Sequence, residues 1–176
     1  MRYADRERRL LAVLRGCGRR PEVAAAARAL SLSGEHAALW IGAGLIGAAA
    51  GGERRTAWLR GTALIGAAHL TSMAVKRVVR RPRPEPAAYE PLVRTAGHHS
   101  FPSSHATSAA AAAVAFGALS PLGRRLAPPL AAAMCLSRLV VGVHYPTDVA
   151  AGALLGGALA GLGRTWLHGD GRGTHV

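Results

Sequence analysis

The chain has 176 residues, enough for one domain and too few for two of ordinary size. Half of its residues are hydrophobic, yet aromatics make up only 5% and glycine fills 22 positions, a composition that suits helices packed through small side chains and excludes a β-sandwich. The net charge of +13 calls for an anionic partner, nucleic acid or anionic lipid, and charge alone does not choose between them.

In chain order, residues 2–15 set Leu10, Leu11, Val13 and Leu14 among arginines. This pattern predicts a short amphipathic helix on a membrane surface or, equally, a solvated basic helix end. Met1 to Arg20 has cations but no continuous apolar core with a cleavage site, so it is not read as a secretory signal. Pro21 opens a second helix through Leu30, which Ser31, Ser33 and Gly34 break. Residues 1–35 are therefore expected to form amphipathic, interfacial helices ahead of a catalytic unit over 36–167.

Within 36–167, stretches poor in charge alternate with arginine-bearing breaks. Several are shorter than the roughly 17–25 residues of a bilayer span, but flanking arginines lengthen short spans by snorkelling. The expected fold is an all-α integral membrane bundle with five embedded helices near 36–53, 56–77, 104–121, 124–143 and 146–167, multi-pass in the cell (plasma) membrane. No strand-like alternation or internal repeat interrupts it, and residues 168–176 read as a disordered tail. Cys17 and Cys135 suggest neither a disulfide framework nor a zinc site.

The longest polar interruption runs from Lys76 to Pro102, where Pro82, Pro84 and Pro86 end the second span. Lys76 is the sole lysine; the other 21 of the 22 basic residues are arginine. Three short segments then stand out: Lys76 with Arg83-Pro84; Pro102-Ser103-Ser104-His105; and Ser137-Arg138 with His144 and Asp148. Phosphoryl transfer without a metal needs cations around three non-bridging oxygens, and Lys76, Arg83 and Arg138 supply them. Ser103 and the N–H groups near Ser104 and His105 at a helix start add neutral donors. His144 lies four residues before Asp148, with Pro146 placed to begin a helix, so imidazole and carboxylate can meet across its first turn. Asp148 is the only carboxylate between Glu90 and Asp170, and an isolated acid beside apolar helices needs a partner. His144 is then a candidate nucleophile and His105 a candidate proton donor to the leaving alkoxide. His98 and His99 are read as loop residues.

These segments resemble the three signature motifs of the type 2 phosphatidate phosphatase superfamily, K-x6-R-P, P-S-G-H and S-R-x5-H-x3-D, with Ser104 standing where the family has glycine. The resemblance spans residues 76–148. It implies a helical-bundle phosphatase of lipid phosphates that needs neither metal nor other cofactor and acts through a phosphohistidine on His144. Within it Asp148 would steady His144, His105 would act as acid and then base, and Lys76, Arg83, Ser103, Ser104 and Arg138 would bind phosphate. The Ser104 substitution keeps the backbone donor and adds a side chain near the phosphate. The stretch from Leu30 to His36, FPSSHATS and LSRLVVGVHYPTDV are also similar to the actinobacterial branch acting on decaprenylphosphoryl-5-phosphoribose. Undecaprenyl diphosphate, phosphatidate and phosphatidylglycerophosphate remain open as substrates. The expected partners are thus the bilayer and a lipid phosphate rather than nucleic acid. A vanadium haloperoxidase and a non-enzymatic basic protein of the membrane surface or nucleic acid are the competing classes.

Overall fold

Alanine and glycine dictate how closely the elements approach. The computed structural model describes residues 3–84, 91–95 and 97–169 and is all-helical, with no β-strand among those residues. Its helices are α1 (Tyr3–Cys17), α2 (Pro21–Ser33), α3 (Ala38–Ala50), α4 (Arg55–Val79), α5 (Ser104–Leu119), α6 (Pro121–Val140), α7 (Pro146–Leu162) and the short α8 (Arg164–His168). The five expected spans coincide with α3 to α7 to within a few residues. Of the expected tail, residues 170–176 lie outside the described residues, as do 85–90 of the polar interruption.

Local signals account for the boundaries. Pro21, Pro121 and Pro146 occupy first-turn positions, where a missing N–H costs nothing. The Ser103 and Ser120 hydroxyls cap α5 and α6 by accepting from the N–H of Ala106 and Gly123. Arg80, in the left-handed region at φ 52°, ends α4 two residues before the first of the prolines.

α5 is the axis of the bundle, packed against α4, α6 and α7. Ala109, Ala111, Ala112 and Ala115 are all fully buried, because neighbours surround this helix on nearly every side. α7 approaches it through Gly152 and Gly156, spaced as in a small-x-x-x-small contact. A Cβ on Gly156 would collide with the backbone of Thr107, and one on Gly152 with the carbonyl of Ser103. At the far side Phe116 of α5 meets Trp40 of α3 and Trp58 of α4, with ring centroids 6.5 and 5.3 Å away.

No helix among the described residues is long and apolar enough to cross a membrane. α3, α5 and α7 have 13, 16 and 17 residues, short of the roughly 20 that span a hydrocarbon core. In α4 and α6, with 25 and 20 residues, arginines and polar side chains dilute the apolar content.

The α5–α7 contact gives a clean stability test. Gly156→Ala forces two helix backbones apart and is expected to cost about 1–3 kcal/mol, seen as a melting temperature several degrees lower. Gly157→Ala adds its methyl to open space and should melt like the wild type or slightly higher.

Candidate active site

The site forms where the ends of α4 and α6 and the starts of α5 and α7 converge. Asp148 sits at the third position of α7, and its Oδ2 accepts from the backbone N–H of Tyr145 at 2.8 Å. This bond, favoured by the positive end of the helix dipole, fixes the carboxylate while leaving it facing His144 in the preceding turn. The His144 Nδ1 stands 3.6 Å from Asp148 Oδ2 and has no hydrogen-bond partner. That separation is an ion-pair distance, longer than a hydrogen bond. Both groups are essentially inaccessible, at 2% and 0% exposure. With Nδ1 turned to the carboxylate, Nε2 is the nitrogen left to meet an incoming group.

Lys76, Arg83, Ser104, His105, Arg138 and His144 all line one pocket. Lys76, in the last turn of α4, donates to the His99 carbonyl at 3.4 Å. Arg83 is held from two directions, Nε to the Gly97 carbonyl and Nη1 to the Val143 carbonyl, each at 2.8 Å. The loop carrying it is stitched at its base by Ser100, whose N–H and hydroxyl donate to the carbonyls of Arg81 and Pro82 at 2.8 and 2.9 Å. Arg138 is buried near the end of α6, with Nη1 donating to the Ser31 hydroxyl and Nε free of any partner. His105 in the first turn of α5 lies 2.9 Å through Nε2 from the Ser31 carbonyl. A carbonyl only accepts, so Nε2 carries the proton in this contact.

Ser103 and Ser104 part company. Ser104 lines the pocket, its hydroxyl 3.5 Å from the Met73 sulfur. Ser103 is fully buried outside the lining, with its hydroxyl spent on the α5 cap and its N–H donating to the Asp148 carbonyl at 2.9 Å. It therefore ties the second motif to the third. Asp148 likewise stands behind His144 rather than on the pocket wall. His99 takes part through its backbone carbonyl, and neither His98 nor His99 is among the residues that line the pocket.

Two residues of consequence escape the sequence motifs. Arg81 donates to Asp148 Oδ1 at 2.8 Å, to the Thr147 hydroxyl at 2.7 Å and to Glu7 at 2.8 Å, and its guanidinium lies 4.1 Å from the Tyr145 ring centre. Glu7 of α1 is 8% exposed and also accepts from the N–H and hydroxyl of Thr147. So α1 does more than lie on a surface: Leu11 and Leu14 pack on Ala106, Leu139 and Val149, while Leu10 and Val13 stay exposed. The one available signal was an acid in an arginine-rich helix, which by itself reads as ordinary charge balance.

With this geometry in view, the comparisons with known proteins assign the class. Residues 56–172 match the model of the PAP2 superfamily, and the chain belongs to that superfamily. It is 44% identical over 145 residues to the decaprenylphosphoryl-5-phosphoribose phosphatase of Mycobacterium tuberculosis, covering 81% of this chain and 80% of that one. The Mycolicibacterium smegmatis enzyme of the same description is 46% identical over 145 residues, covering 81% and 78%. The lipid A 1-phosphatase of Rhizobium etli is 35% identical over 94 residues, covering 50% and 40%. In fold, the chain is similar to the crystal structure of a transmembrane PAP2 type phosphatidylglycerolphosphate phosphatase from Bacillus subtilis, with a TM-score of 0.64, 22% identity and coverage of 94% and 96%.

Burial drives the His144 imidazole down to about 3, with the neighbouring Arg138, Arg83 and Lys76 charges adding to the effect against the pull of Asp148. Burial works against ionisation of Glu7, but its bonds from Thr147 and Arg81 win and hold it below the usual 4.5. Both shifts make acid destabilising. An unfolded imidazole takes up a proton near pH 6.5 that folded His144 refuses, so stability falls from about pH 6.5 towards 3, and Glu7 adds to the loss below about 4.5. Nitrogen-15 histidine spectra of the free protein at pH 5 should therefore show His144 neutral; a doubly protonated ring would contradict this placement. Arg81→Ala strips the buried Asp148 of its cation and is expected to cost about 3 kcal/mol, measured by thermal unfolding, with turnover falling in parallel.

Proposed function

We propose that this PAP2 superfamily phosphatase is an integral membrane enzyme of the cell membrane that removes the terminal phosphate from a polyprenyl-linked phosphoribose. One observation carries the chemistry: a buried imidazole backed by a carboxylate lines a pocket bearing Lys76, Arg83 and Arg138. The substrate class rests on the 44–46% identity to decaprenylphosphoryl-5-phosphoribose phosphatases over 81% of the chain.

In the proposed reaction the three cations hold the non-bridging phosphate oxygens, with Ser104 beside them. His144 Nε2 attacks phosphorus, the ester P–O bond breaks, and His105, held as imidazolium with its Nε2–H on the Ser31 carbonyl, gives its Nδ1 proton to the departing oxygen. The imidazole gains positive charge as it is phosphorylated, which draws Asp148 in from 3.6 Å to full contact. Water then attacks the phosphohistidine while His105 takes back a proton, and inorganic phosphate leaves. Ser103 serves here by holding Asp148 and the start of α5 in register rather than by touching phosphate.

Membrane residence is supported by the surface. Leu122, Leu126 and Leu130 form an exposed stripe along α6, and Leu45, Ile46, Leu70, Leu154 and Leu162 on α3, α4 and α7 are exposed as well. So much uncovered apolar side chain suits lipid better than water, and flanking arginines extend the short helices into the headgroups. The catalytic unit proposed is 36–167, with residues 1–35 contributing Glu7 and Ser31 to its support.

Purified in detergent, the protein should release phosphate from decaprenylphosphoryl-5-phosphoribose with EDTA present, and vanadate should inhibit it. His144→Ala should lower kcat by at least about a thousandfold, as loss of a nucleophile does. Retention of turnover in that variant, or a strict metal requirement, would falsify the mechanism.

A further inference from the structure

The pocket lining also includes Glu35, His36 and His69, which the phosphate chemistry leaves unused. Glu35 and His36 are exposed, whereas Arg138 is buried. His69, Met73 and Lys76 follow one another along one face of α4 and all line the pocket. At 1.5 Å per residue His69 lies roughly 10 Å along the helix from Lys76, a distance that passes beyond a bound phosphate to whatever group it esterifies. His69 Nδ1 is buried with no hydrogen-bond partner. Its ring faces that of His36, 6.5 Å away.

The segment holding Glu35 and His36 is set in place at some cost. His36 and Ala37 both adopt left-handed backbone, at φ 51° and 60°, a conformation that side-chain-bearing residues avoid. Its approach is fixed at Ser31, which accepts from Arg138 through its hydroxyl and meets His105 through its carbonyl. Strain held in this way clusters at ligand-binding corners.

Glu35 is the one carboxylate among the described pocket-lining residues. A carboxylate accepts from hydroxyl groups, and imidazole both donates and accepts, so the corner matches a group carrying adjacent hydroxyls. A second phosphate placed there would meet the Glu35 charge, and an acyl or prenyl chain would displace water from the exposed Glu35 and His36 and leave the buried His69 Nδ1 without a partner. We propose that Glu35, His36 and His69 form a hydroxyl-recognition subsite that selects a phosphorylated sugar over a phosphate esterified directly to a prenol or a diacylglycerol. The subsite rests on the phosphatase reading above and extends it to specificity.

The test compares kcat/KM for two lipids in the same detergent, a polyprenylphosphoryl ribose 5-phosphate and the corresponding polyprenyl monophosphate without sugar. Wild type should prefer the sugar-bearing lipid. Glu35→Gln and His69→Ala should each lose about tenfold or more on it and less than about twofold on the sugarless lipid, so that the preference collapses. Thermal melts of both variants check that the fold is intact. Equal losses on the two lipids, no loss on either, or a wild-type preference for the sugarless lipid would overturn the subsite alone. Release of phosphate from neither lipid by wild type would sink the phosphatase reading, and the subsite with it.

Discussion

A carboxylate with no exposure must be satisfied on every side, and Asp148 is the group on which the rest of this site depends. Its two oxygens are divided between the Tyr145 N–H, the Arg81 guanidinium and the His144 imidazole. Each partner brings a different part of the chain: the start of α7, the loop after α4 and the turn after α6. Its own backbone carbonyl binds Ser103, the cap of α5. Satisfying one buried charge therefore assembles the three motifs, and Glu7 closes the arrangement by holding the outer face of Arg81.

That assembly works only because the helices come close. α5 is built almost wholly of small residues, and α7 meets it through glycines, so the caps of the two helices lie side by side. Larger side chains would hold the helix axes further apart and break the Ser103–Asp148 bond. The same economy of side-chain size leaves the bulky leucines on the outside, where they are exposed on α6 and α7. In a water-soluble bundle the pattern would be reversed. An alanine core with a leucine surface supports the membrane residence proposed above.

The arrangement also divides labour along the pocket. Lys76, Arg83 and Arg138 come from three separate elements, each anchored to backbone carbonyls or to Ser31, so cations that repel one another are held together by neutral acceptors. Arg138 keeps its Nε free and Lys76 has a single long bond, which leaves donor capacity for an oxyanion. The end of α2 supplies Ser31 to Arg138 and the following turn supplies Glu35 and His36 to the pocket lining, so one segment links phosphate binding to selection of the esterified group.

The amino-acid sequence by itself determined the helical class and the positions of α3 to α7 and marked eight residues as candidates, because charge breaks, proline positions and fixed motif spacings are local features. Ser103 shows where local reading stops: its identity was legible, but whether its hydroxyl turned to phosphate or to the α5 cap depended on how α5 entered the bundle. Glu7 and Arg81 were invisible as a pair because 74 residues separate them and neither lies in a spaced motif. The Glu35, His36 and His69 corner of the pocket was equally hidden, since these residues share one lining only when the turn after α2 packs against α4. Only the tertiary structure decided these points, because burial and pairing of charge are properties of what surrounds a residue and not of the residues beside it in the chain.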